Sequence, residues 1–420
     1  MIAVLARRRG IGATLSLAIL VGLSLYFACL YQDDFRVYQA GAHTLFSHTL
    51  YSHLTRGEFF TYPPFAAVVF LPFGSIPSPL AAQILWALLN DGALVGLLAI
   101  SIRACLPELP KKSLWLWVTG LCAPALFLDP VLSSIRNGQI DVMLTALVVW
   151  DLARSRSPGR NSLPLGVGTG LAAAIKLTAL IFIPYLLLTK RFRAAMNCAG
   201  TFALCEGIAF LFSPRSSVSY WTHHVFEYTR VGGYLGLRGL LATTNQSLLG
   251  ALARINHDTV SSGVLWTMSV LLGVAGLGLA ARVHYRWSSF AGIVVCATTG
   301  LLVSPVTWTH EMVWIVPAIA WLACSRELPR WGRAMAVVTA LLFWIAPVWW
   351  VPTEILGPRV FVAGDFFFFW IVQPLRENGW QLVAGNSFFI WMVVLLVSVA
   401  GTLFWHWRST ARAPAVNRSP

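Results

Sequence analysis

Charge is what this chain has least of. Asp, Glu, Lys and Arg make up 11% of its 420 residues, where a water-soluble domain carries about 25%. So few charges cannot cover a globule of this size in water. With 57% hydrophobic residues and a mean hydropathy of +0.70, lipid must serve as part of the solvent. Lysine is nearly absent, and 26 of the 30 bases are Arg; 16 acids leave a net charge of +14. In a soluble protein that balance would point to nucleic acid. Here the bases fall in short clusters between apolar runs, the pattern of cytoplasmic membrane loops, and no nucleic-acid partner is expected. The seven cysteines form no CxxC, and no His stands at zinc spacing from them, so they read as small apolar fillers and no metal site is expected. A nucleotide loop is missing too: GVGTG at 166–170 is too loose and too deep in apolar sequence, which argues against a soluble nucleotide donor. Nor is there a removable leader. The first apolar run, 11–30, follows Arg7-Arg8-Arg9 and is long enough to span a bilayer.

What is present is a series of such runs, near 11–30, 80–102, 113–128, 139–153, 195–212, 262–281, 288–304, 312–324, 334–350 and 387–405. Residues 63–77 are short and Pro-punctuated, as in a re-entrant or juxtamembrane element. Residues 164–189 form two apolar pieces broken at Ile175-Lys176, either a re-entrant pair or two short spans. The expectation is an all-α polytopic bundle of about ten to thirteen spans, one integral-membrane domain over 1–420. Placing the N-terminus in the cytoplasm and alternating puts 20 of the 30 bases in cytoplasmic segments, from Arg7–Arg9 to Arg408, Arg412 and Arg418 in a tail at 406–420. Every cytoplasmic segment then obeys the positive-inside rule, and the opposite orientation fails at each. Both termini are therefore expected inside.

Three long segments fall outside: 31–62, 213–260 and 351–386. They are aromatic and rich in hydrogen-bonding groups, unlike loops that only connect. Aromatics beside carboxylates, amides and Arg suit a carbohydrate or phosphate site, although an interfacial aromatic belt has a similar composition. Asp33-Asp34 stands just past the first span, where a shielded carboxylate can act as a general base; spacing does not choose between the two. His310-Glu311 lies at an outer junction and can shuttle a proton, hold phosphate or simply be solvated. Position 314 is Trp, so no zinc-protease helix is formed. Lys176 is a base within an apolar stretch and should face a cavity or an anion. Arg230, with Tyr220-Trp221 before it and Asn245-Gln246-Ser247 after it, offers a cation for phosphate and amides for hydroxyls.

These segments resemble a known family. Asp34-Phe35-Arg36-Val37-Tyr38, then Leu50-Tyr51 and Phe60-Thr61-Tyr62-Pro63-Pro64-Phe65, are similar to the first external loop of glycosyltransferase family 87. Asn137-Gly138-Gln139, Lys176, Ser219-Tyr220-Trp221, Asn245-Gln246-Ser247-Leu248 and Ser304-Pro305 with Trp308 and His310 follow in order. Position 141 departs from the pattern, with Asp where Asn is expected. The resemblance implies a GT-C membrane enzyme taking sugar from a polyprenyl-phosphate donor, without a cofactor. The stretch from Arg230 to Asn245 is most similar to members that move mannose from polyprenyl-phosphate-mannose, α-(1→2), onto a phosphatidylinositol mannoside in the bacterial plasma membrane. It implies inversion by single displacement, with Asp34 as base and His310 assisting it or the leaving phosphate. Lys176 and Arg230 would hold the donor phosphate, and Tyr62, Gln139, Trp221, Asn245, Gln246 and Glu311 would hold sugar or acceptor. Mannan-branching mannosyl transfer and arabinofuranosyl transfer are the alternatives within the family. A lipid-linked-sugar flippase would show inverted repeats, and no second copy of the 31–65 segment occurs.

Overall fold

The computed structural model describes residues 2–30, 32–47, 49–55, 57–154, 163–235, 240–256, 261–351, 353–355, 371–374 and 379–411. Most of the expected third external segment (351–386) and of the tail (406–420) lies outside the described residues. Helices dominate the rest, with two small antiparallel hairpins. Among the described residues six helices are long and apolar enough to cross a membrane: Gly10–Leu30, Pro79–Cys105, Phe192–Phe212, Gly263–Arg286, Arg330–Trp349 and Ser387–His406. A seventh crossing results if Lys111–Leu126 and Asp129–Asn137, bent by 79°, form one span. The other apolar runs expected as spans are shorter helices, such as Ser289–Val303 and Thr309–Cys324. Several helices, long and short, stop close to one cavity.

The first such stop follows α1 (Ile2–Leu30). Gln32 is fully buried in the left-handed region, at φ 62 and ψ 43, and its N–H donates to the Arg136 carbonyl at 3.0 Å. A non-glycine residue there costs about 1–2 kcal/mol. The turn redirects the chain into α2 (Asp33–Thr44), whose first turn carries Asp33 and Asp34. A hairpin follows, β1 (Leu54–Thr55) with β2 (Glu58–Phe59), and then α3 (Pro64–Gly74), begun by Pro64. Ser78 caps α4 (Pro79–Cys105), accepting from the Ala81 N–H at 3.3 Å, with Pro79 in the first turn. Trp86 of α4 stacks on Phe35 of α2 (5.0 Å, 21°) and meets Phe70 and Phe73 of α3 edge-on. These rings fasten the three helices beneath Asp34.

After α5 (Lys111–Leu126), α6 (Asp129–Asn137) ends at Gly138 with φ +72. A Cβ there would stand 2.8 Å from Phe35 Cβ and 2.9 Å from Gln32 Cβ, so glycine lets this turn close against the start of α2. The Trp86 indole donates to the Gly138 carbonyl at 2.7 Å. Gln139 is thereby set beside α2, and α7 (Asp141–Ala153) begins. Farther on, α8 (Val167–Ile175) stops at Lys176, which is extended at φ −146, ψ 114, before a 3-10 turn Leu177–Ile181. The break expected at Ile175-Lys176 is present.

Candidate active site

The stops converge. Residues of α2, the hairpin, the 138–141 turn, Lys176, the 220–231 segment and the 304–311 segment line one cavity of about 310 Å³, within the range of small-ligand sites. Seven of the ten expected residues line it: Asp34, Tyr62, Gln139, Lys176, Arg230, His310 and Glu311.

At its floor, Asp34 accepts a hydrogen bond from the Gln139 side chain. The Gln139 carbonyl oxygen accepts in turn from the Tyr38 hydroxyl at 2.5 Å and the Tyr62 hydroxyl at 3.1 Å. The two hydroxyls are 2.8 Å apart. This chain orients the amide so that its N–H faces Asp34 and favours the ionised acid. Burial acts the other way and is the larger influence, pushing the Asp34 carboxyl up to about 6. Asp33 and Asp141 add to the rise, while Gln139 and Lys176 oppose it. A carboxyl tuned to this range suits a base that must give up its proton again.

Lys176 occupies the opposite wall. Its ammonium lies 2.8 Å from Asp141 Oδ1 and 2.7 Å from Glu311 Oε1, and 5.8 Å from the centre of the Tyr62 ring. His310 Nε2 is 3.9 Å from Asp141 Oδ2, beyond hydrogen-bond distance. The second oxygens of Asp141 and Glu311 are buried without a protein partner; Glu311 lines the cavity, and Asp141 lies behind it. Asp141, the departure from the family pattern, thus reaches the site through Lys176 without lining the cavity itself. Lys176 already holds two carboxylates, which leaves it a poor phosphate ligand on its own.

Arg230 stands at the lip. Its guanidinium donates to the Tyr51 carbonyl, lies over the Phe59 ring at 4.3 Å and is 3.8 Å from Glu227. His224 Nδ1 approaches the same Glu227 at 2.7 Å. Arg230 retains exposed surface with one peripheral carboxylate beside it, so it is the freer cation of the two.

Three expected residues lie elsewhere. Trp221 packs edge-on between Tyr220 (5.1 Å) and Phe202 (6.0 Å) against the core and does not line the cavity. Asn245 and Gln246 are fully buried, and their amides are spent on backbone. The Asn245 carbonyl oxygen accepts from the N–H groups of Ser247 (3.2 Å) and Thr307 (3.0 Å), and its NH2 donates to Leu240 O at 3.0 Å. Gln246 donates to Gly385 O (2.6 Å) and accepts from Phe388 and Phe389 N–H (3.1 and 2.9 Å). Ser247 donates to Pro305 O at 3.0 Å and caps the helix Leu248–Ile255. The Asn-Gln-Ser segment is therefore a clamp on residues 305–307, which lead into His310 and Glu311. Residues missed in the sequence are Tyr38 and Glu58. Tyr38 falls within a quoted motif; Glu58 belongs to none. Among the described residues no three His, Cys, Asp or Glu side chains converge as metal ligands.

Comparison with known proteins agrees with the site's polar, sugar-sized character. The sequence profile of glycosyltransferase family 87 matches residues 60–305. A polyprenol-phosphate-mannose-dependent alpha-(1-2)-phosphatidylinositol mannoside mannosyltransferase of Mycobacterium tuberculosis is 32% identical over 344 residues, 78% of this chain and 77% of its own length. Its namesake in Mycolicibacterium smegmatis is 30% identical over 358 residues, 79% of each chain. A polyprenol-phosphate-mannose-dependent alpha-(1-2)-phosphatidylinositol pentamannoside mannosyltransferase of M. tuberculosis is 29% identical over 409 residues, 94% of this chain and 86% of its own. No solved structure matches.

Proposed function

This chain belongs to glycosyltransferase family 87, and from that premise we propose that it transfers mannose from polyprenyl-phosphate-mannose to a phosphatidylinositol mannoside, forming an α-(1→2) link on the outer face of the plasma membrane. The observation that carries the reading is the half-buried Asp34, held by Gln139 in a polar cavity that Arg230 also lines.

In the reaction, Asp34 takes the proton from the acceptor 2-hydroxyl. The oxygen attacks the anomeric carbon as the bond to phosphate breaks, giving inversion in one displacement. The leaving group departs as a stable phosphodiester anion, so cations suffice where a general acid would otherwise be needed. Arg230 is the better placed cation for that phosphate, because Lys176 is held by Asp141 and Glu311. Lys176 instead fixes these two acids, of which Glu311 lines the cavity beside the sugar, and its charge favours ionised Asp34. His310 lines the cavity 3.9 Å from Asp141 and assists either the base or the phosphate. Tyr62 and Gln139 act through Asp34.

Arg230→Ala tests the phosphate assignment. Donor KM should rise by about ten- to a hundredfold, the worth of a hydrogen bond to a charged group, and Arg230→Lys should recover it in part, since a point charge lacks the planar fork. Unchanged donor kinetics in Arg230→Ala would remove Arg230 from the site.

A further inference from the structure

Glu58 lines the same cavity and has no place in the mechanism above. It is the first residue of β2, on the hairpin that closes over α2. Among the described residues no protein group hydrogen-bonds to its carboxyl or pairs with it, whereas Asp34, Asp141, Glu311 and Glu227 all have such partners. A half-buried carboxyl that faces a cavity and lacks a partner is available to a ligand.

The surroundings restrict which ligand. From α2, Asp34 faces Glu58 closely enough for its charge to act on it. From the 3-10 turn Tyr228–Leu235 that packs on β2, Tyr228 and Arg230 line the cavity, together with Glu227 just before the turn. Arg230 contacts Tyr51, Phe59 and Glu227 and does not pair with Glu58. Glu58 therefore stands beside an acid without a cation of its own. With no cation beside it, Glu58 offers the donor phosphate no counter-charge, while a hydroxyl can hydrogen-bond to it. Asp34 must touch the acceptor hydroxyl that reacts, which makes its neighbour part of the acceptor subsite.

Building on the function proposed above, we propose that Glu58 is an acceptor-binding residue that, as a neutral carboxylic acid, donates a hydrogen bond to a hydroxyl of the acceptor sugar next to the one Asp34 deprotonates. Burial, with Asp34 adding to it, pushes the Glu58 carboxyl up to about 8. At neutral pH it is thus mostly protonated and able to donate. Above that pH it ionises, loses its proton for the hydroxyl and places a second negative charge beside the base.

The test compares wild type with Glu58→Ala and Glu58→Gln, using phosphatidylinositol mannoside in detergent and polyprenyl-phosphate-mannose. Glu58→Ala should raise acceptor KM about tenfold, as expected for one lost hydrogen bond, with kcat within about threefold. Glu58→Gln keeps a donor and should recover most of that loss. Wild-type kcat/KM should fall as pH rises through about 8, and Glu58→Gln should lose this alkaline limb, which a merely structural role would not remove. Equal acceptor binding by wild type and Glu58→Ala would overturn the inference, as would an alkaline limb that persists in Glu58→Gln. Direct binding of the acceptor, followed by tryptophan fluorescence without donor, separates the two levels. If no mannose is transferred yet binding still depends on Glu58, it is the proposed reaction that fails. If mannose is transferred yet Glu58→Ala binds as wild type does, it is Glu58.

Discussion

Asp34 is pulled in two directions, and its pH dependence follows from which is stronger. Burial raises its pKa to about 6 despite the hydrogen bond from Gln139. A base works only when ionised, so kcat/KM should be lost as pH falls through about 6. Asp34→Asn keeps the shape but cannot take the proton; turnover should drop by about 10²–10⁴-fold while acceptor binding persists, and Asp33→Asn should be milder. An inert Asp33→Asn with a normal Asp34→Asn would transfer the role to Asp33. Lys176 makes a second prediction at this scale. Removing one partner from a buried ion pair costs about 3–5 kcal/mol, so Lys176→Met should unfold at lower temperature in detergent, and adding Asp141→Asn should recover part of the loss. Equal stability of Lys176→Met and wild type would mean that the pairing contributes nothing. Lys176 was legible in the sequence as a costly charge in an apolar stretch. Its partners were not, because pairing depends on how α7, α8 and the 309–314 turn pack, which no local pattern encodes.

Secondary-structure breaks set the site's geometry. Gln32, Gly138 and Lys176 each stand at a helix boundary beside the site, and the break at Lys176 could be read in advance from its charge in an apolar stretch. The role of Asn245-Gln246 could not. An amide that binds sugar and an amide that binds backbone are the same residue in a sequence, and only the positions of Thr307 and Phe388 decide between them. The clamp predicts a stability phenotype. Asn245→Ala or Gln246→Ala leaves buried backbone groups without partners, at about 1–3 kcal/mol, and should lower the thermal midpoint. Donor and acceptor KM in the protein that stays folded should change by less than about threefold. A large KM effect at unchanged stability would return both amides to the sugar site.

Across the whole molecule, two of the segments that charge distribution assigns to one side of the membrane, 31–62 and 213–260, meet at the cavity, together with the outer junction at His310-Glu311. Residues 106–110 and 324–327, from two of the basic segments, line a separate cavity that shares no residue with the first. In a background without native cysteines, Thr49→Cys should therefore react with an impermeant maleimide added to intact cells, and Arg326→Cys only after permeabilisation. The reverse pattern would put the cavity on the cytoplasmic side. The central claim is mannosyl transfer at Asp34. Its most direct test is to incubate purified protein with polyprenyl-phosphate-mannose and a phosphatidylinositol mannoside and to analyse the lipid by mass spectrometry and linkage analysis. The account predicts one added hexose in α-(1→2) linkage with wild type and almost none with Asp34→Asn; no added hexose with wild type, or equal addition by both proteins, would contradict it.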